Sequence, residues 1–152
     1  MQLAFNADDS QRAHADWGAN CGPHALAAAC GKSLEAIHKV IPQFRGWMGP
    51  TEIEAALKAL HITARKTPNL NTKTPCNAGI SRIQWHGPWL NPGSKDAYKH
   101  THWIAGRNYG IYDTLYPEKT GMWIPLAEWR PLIENHVRLH FAGWHITHWY
   151  QF

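Results

Sequence analysis

Apolar residues recur along this chain in two different rhythms, and the change falls near His61. Ahead of it the spacing is helical. Pro23 and the alanine-rich run after it, with Leu26 to Cys30, predict a helix over 21–30 that Gly31 ends. Ser33 can cap a second helix over 34–41, with Leu34, Ile37 and Ile41 on one face before Pro42 stops it. Arg45 to Pro50 predicts a turn, and Thr51-Glu52-Ile53-Glu54 predicts a capping box with Thr51 at the cap. Ile53, Ala56, Leu57 and Leu60 then follow at the i, i+3, i+4, i+7 spacing of an amphipathic helix. Residues 1–16 are polar and predict an irregular lead-in.

Beyond His61 the pattern turns to short apolar runs between breakers. Strands are predicted at 62–65, 80–85, 102–106 and 111–115, with loops over 66–77 and from Gly87-Pro88 through Asn91-Pro92-Gly93 to about residue 100. Arg107–Gly110 is the expected hairpin loop, with Gly110 free to take a positive φ. A short helix is expected from 126, limited or kinked by Pro131, and two last strands at 136–142 and 144–151 meeting near Gly143. Helices first and an antiparallel sheet afterwards is an α+β arrangement.

Composition narrows the class. A chain of 152 residues fits one domain with a sizeable core. No apolar run approaches the roughly 20 residues that span a bilayer, and the opening residues lack the basic and apolar regions of a signal peptide. Neither a membrane nor secretion is expected. The three cysteines form no CxxC pair and cannot all pair with one another, which predicts free thiols in a reducing, cytoplasmic compartment. The net charge of +4 is spread along the chain, so it argues against a nucleic-acid patch. Nine tryptophans suit a compact core or a groove lined with flat rings. His145 and His148, three apart on a predicted strand, point to opposite faces, while Arg138 stands between His136 and His140; no metal and no cofactor are expected.

The chemistry starts at Asn20-Cys21-Gly22-Pro23. A thiol at a helix start sits in the positive end of the macrodipole, among amides without intrahelical partners. Both stabilise a thiolate, and the same amides can stabilise an oxyanion. Cys30, on the same helix, fits a small core residue. A thiol nucleophile needs a base and a group that orients the base. With the hairpin loop at Arg107–Gly110, Gly106 faces Ile111 and Ile104 faces Asp113, which sets His102 diagonally from Asp113 on one sheet face. A different loop length would put them on opposite faces. His100 is a rival base, and Asp113 also fits a plain turn before Thr114.

Cys-Gly-Pro-x-Ala-Leu-Ala at 21–27, His102-Trp103-Ile104-Ala105 and Tyr112-Asp113 resemble the cysteine helix, histidine strand and aspartate strand of papain-like cysteine peptidases, specifically the bacteriocin-processing C39 group and its C39-like relatives. The likeness covers roughly residues 16–116. It implies a helical part packed on an antiparallel sheet, with Cys21 as nucleophile, His102 as general base and acid, and Asp113 as the orienting residue. The family usually carries a glutamine shortly before the cysteine; position 15 is alanine, which leaves Asn20, Gln11 or the Trp17 indole as the second oxyanion donor beside the Cys21 amide. What the resemblance implies is a stand-alone enzyme of phage or bacterial origin that cleaves a peptide or isopeptide bond in a polypeptide. A deamidase or acyltransferase would use the same three residues, and a non-catalytic binding module could keep the fold.

Overall fold

In the computed structural model, which describes residues 2–91, 95–119 and 121–152, four helices precede a six-stranded antiparallel sheet. The helices are α1 (Ala7–Trp17), α2 (Cys21–Cys30), α3 (Leu34–Val40) and α4 (Pro50–Ala59). The strands are β1 (Arg65–Thr67), β2 (Ala78–His86), β3 (Thr101–Arg107), β4 (Gly110–Tyr112), β5 (Ile124–Pro125) and β6 (Gly143–Gln151), in the order β1-β6-β2-β3-β4-β5. A fifth helix, α5 (Leu126–His140), lies between β5 and β6. The α+β arrangement read from the patterning is the observed one. None of the helices is long and apolar enough to cross a membrane among the described residues.

One apolar cluster joins Leu26, Ile37, Ile53 and Leu57 of α2–α4 to Ile80, Trp103 and Tyr150 of the sheet. A second joins Ile83, Ile104 and Ile146 to Trp129, Ile133 and Val137 of α5. The sheet is therefore covered on both faces, by α1–α4 on one side and α5 on the other. Two polar ties fix α2 and the loop before α4 against β3. Arg107 donates to the carbonyl of Ala29, and the Trp103 indole N–H donates to the Met48 carbonyl at 2.7 Å.

Several expectations need correction. Residues 7–17 form a helix, not a loose lead-in. Asn6 accepts from the Asp9 amide while the Asp9 carboxylate accepts from the Asn6 amide, and Gly18 closes the helix in the left-handed region at φ 74°. The capping box of α4 starts earlier than Thr51: Pro50 takes the first turn, where its missing N–H is harmless, and Glu52 accepts from Gly49 N–H at 2.9 Å. Thr51 lies within the helix, and Glu54 instead accepts from the Tyr150 hydroxyl and pairs with Lys66 at 2.6 Å. The first strand lies at 65–67, later than the expected 62–65, where it can pair with the end of β6.

Residues 136–140 continue α5 and are not a strand. Trp129, Ile133 and Val137 bury one face of it, and Pro131 is accommodated on the exposed face. In the hairpin, Asn108 and Tyr109 take φ 49° and 61°, the signature of a two-residue type I′ turn, so Gly110 belongs to the strand. The strand after it ends at Tyr112, not at 115, because the chain turns at Asp113. Pro92 and Gly93 of the predicted breaker lie outside the described residues.

Candidate active site

The hairpin register places the first pair. Gly106 faces Ile111 and Ala105 faces Tyr112, so Asp113 follows diagonally opposite His102, and His102 Nε2 donates to Asp113 Oδ1 at 2.7 Å. The Asp113 side chain is fully buried and that of His102 nearly so. Two more donors converge on the carboxylate: the Trp129 indole N–H on Oδ2 at 2.8 Å and the Leu115 amide on Oδ1 at 3.0 Å. Trp85 stacks near the His102 ring, with centroids 5.8 Å apart. With Nε2 held by Asp113, the other ring nitrogen is left to serve the thiol.

The thiol comes from α2. Cys21 is its first residue, after Asn20 at the cap, so the sulfur lies where the macrodipole is positive. It hydrogen-bonds with His102 and accepts from the Trp103 backbone N–H. Burial by itself would raise the Cys21 pKa, yet the charge on His102 and these two hydrogen bonds outweigh it and bring the thiol below its ordinary value. Burial would likewise lower His102, but Asp113 and Cys21 together push it up to about 10. Asp113, though fully buried, is held below the usual carboxylate range by His102, Trp129 and Leu115. The other thiols differ: burial pushes Cys30 up to about 11 and raises Cys76 as well. All three cysteines are free.

The head of α2 is anchored to α1. His24 is buried, its Nδ1–H donating to the Asn20 carbonyl at 2.8 Å while Nε2 accepts from the Ser10 hydroxyl at 2.7 Å. Asn20 donates to the Gly46 carbonyl at 2.7 Å, which ties the loop before α4 to the cysteine, and among the described residues its buried Oδ1 has no hydrogen-bond partner. Gln11 lies with Ser10 and His14 along a hollow that Cys21 and Asn20 also border. A larger groove of about 740 Å³ opens on the other side of Cys21, between the Gly46–Glu52 segment and Tyr98–Thr101.

Cys21, His102 and Asp113 are thus brought together, with Asn20 beside them and Gln11 on a neighbouring wall. Trp17 stacks on His38 instead. The rival base His100 is turned away, its ring stacked on Trp89 at 3.7 Å. His136 and His140 do share a face, on a helix, and His145 hydrogen-bonds His86 at 2.6 Å. Among the described residues no group of three or more His, Cys, Asp or Glu is placed to hold a metal.

Trp129 and the Trp103 amide were not legible as site residues. Trp129 reaches Asp113 only because α5 crosses the far face of the sheet. Replacing Trp129 with Phe keeps a ring in the core and removes one donor from a buried anion, which is expected to lower unfolding free energy by about 1–3 kcal/mol. Chemical denaturation measures this, and an unchanged midpoint would show that the bond contributes nothing.

No family model, curated protein or solved structure matches this chain.

Proposed function

We propose that this chain is a small papain-like cysteine hydrolase of the C39-like kind, acting on a peptide or isopeptide bond. The observation that carries this is the hydrogen-bonded series from Cys21 through His102 to Asp113, beside an open groove. The lowered thiol and raised imidazole favour a thiolate–imidazolium pair at neutral pH. The thiolate attacks the scissile carbonyl and forms a C–S bond; the carbonyl oxygen becomes an oxyanion. The Cys21 N–H at the start of α2 is the first donor to it, and Asn20 has one amide hydrogen left beside its bond to Gly46. Gln11 is the further candidate, on the α1 side. As the C–N bond breaks, His102 gives its proton to the leaving amine. Neutral His102 then takes a proton from water, whose oxygen attacks the thioester and returns Cys21 as thiolate. Asp113 keeps the imidazole in the tautomer this requires.

Thiol reactivity tests the proposal without a known substrate. An ordinary thiol is only a few per cent thiolate at pH 7, so iodoacetamide is expected to label Cys21 at least about tenfold faster than Cys30 or Cys76. The gap should widen toward pH 6, where Cys21 remains ionised longest, and His102→Ala should close most of it. Peptide mass mapping reads all three sites at once. Equal, slow labelling would sink the hydrolase and leave a binding module.

A further inference from the structure

One charge beside the Cys21 groove is unaccounted for by this chemistry. Arg82 stands on β2, opposite Trp103 of β3 and His148 of β6, and borders the same groove as Cys21. Among the described residues its guanidinium makes one hydrogen bond, Nη1 donating to the Thr147 hydroxyl at 3.1 Å, and its Nε is buried with no partner. Among the described residues it forms no ion pair with any carboxylate. The two carboxylates of α4 are committed elsewhere: Glu52, also on the groove wall, caps Gly49, and Glu54 serves Lys66 and Tyr150. Lys99 adds a second cation at the rim, itself paired with Asp96 at 3.2 Å.

A half-buried guanidinium without a counter-charge is costly to keep, and its planar fork matches a carboxylate, the anion that an unmodified polypeptide side chain carries. Burial already pulls the Arg82 pKa down, as expected of a cation lacking a partner. At the groove mouth Trp47 and Tyr98, both more than half exposed, meet edge to face with ring centroids 6.5 Å apart and offer apolar surface to an extended chain. We infer that the groove beside Cys21 takes an acidic polypeptide segment, with Arg82 binding a glutamate or aspartate side chain of the substrate; this rests on the hydrolase reading above.

The test uses acetyl-tripeptidyl fluoromethyl ketones on an all-alanine scaffold, in which either outer position is Glu or its uncharged twin Gln. At one of these positions the Glu probe is expected to label Cys21 about tenfold faster than the Gln probe, the worth of one charge-assisted hydrogen-bonded pair. In Arg82→Gln that ratio should fall to near one, and in Arg82→Lys part of it should survive. Because each ratio is taken within one variant, a general loss of reactivity cancels. A ratio near one in the parent chain, no labelling by either twin, or a ratio that survives Arg82→Gln overturns the inference. Iodoacetamide separates the two levels: selective labelling of Cys21 with indifferent twins removes only the acidic substrate, whereas unselective labelling removes the hydrolase as well.

Discussion

Exchanging Asp113 for asparagine is expected to cut turnover of an activated p-nitrophenyl ester by roughly 10²–10⁴-fold, although the two side chains have nearly the same shape. The carboxylate accepts from three donors, with Oδ1 shared by His102 Nε2–H and Leu115 N–H and Oδ2 taken by the Trp129 indole. An amide has one acceptor oxygen. Placed toward His102, it sets its NH₂ against the Trp129 N–H, donor against donor. Turned around, it sets the NH₂ against the Leu115 amide and forces His102 to receive at Nε2. The imidazole then carries its proton on Nδ1 and presents a donor to a thiol that needs an acceptor. In both arrangements the Asp113 charge that helps raise the His102 pKa is gone, and burial, which lowers it, is opposed by Cys21 alone. Cys21 labelling at pH 6 should fall in step, because its thiolate depends on the imidazolium. Ester turnover within about threefold of the parent would remove Asp113 from the mechanism, since a positioned acid–base partner is worth far more.

How much of this was legible in the sequence follows from how local each signal is. The pairing of His102 with Asp113 needs only the hairpin length and a period of two, and both are readable over a dozen residues of chain. Helix α2 announces itself through Pro23, its alanine-rich run and Gly31, and α3 and α4 through apolar spacing. Helix α1 does not, because its only buried residue is Ala13, too small to mark a face. Its signal lies at the ends, in the reciprocal Asn6–Asp9 cap and in Gly18, and these fix a helix that an apolar count misses. At 136–142 the alternation Val137, Leu139, Phe141 imitates a strand. Leu139 is 60% exposed, however, and the decisive spacing is Trp129, Ile133, Val137.

The meeting of Cys21 with His102 is of another kind. Nothing near either residue dictates it; a resemblance to a peptidase family implied it, and the packing of α2 on β3 brings it about. Trp129 and Arg82 stayed hidden for the same reason. Each matters through a neighbour supplied by a distant element, Trp129 through α5 crossing the sheet and Arg82 through the loops that wall the groove.

Gly106→Ala is expected to be the most damaging single methyl in the β3 strand, lowering stability by about 3 kcal/mol or more. Gly106 sits between Gly79 of β2 and Ile111 of β4, and a Cβ on it would lie 1.8 Å from the Cys76 carbonyl oxygen and 3.0 Å from its carbon. That carbonyl has little room to retreat. Cys76 is buried, and its amide donates to the Ser81 hydroxyl at 2.8 Å. Relief must come from β3 itself, and β3 carries His102 and the Trp103 amide to Cys21. For a chain of this size, about 3 kcal/mol corresponds to a fall in Tm of roughly 6–12 °C. The loss of selective Cys21 labelling should appear at temperatures where the variant is still folded by circular dichroism. Gly49→Ala is the matched control: its Cβ meets the far end of the Glu52 side chain at 3.1 Å and the Trp47 ring at an ordinary 4.0 Å, and a glycine-to-alanine change at a helix cap costs about 1 kcal/mol or less. Should both variants melt alike, the close approach of β3 to Cys76 is not what holds the hairpin register, and the diagonal that joins His102 to Asp113 must be fixed from the α2 side instead.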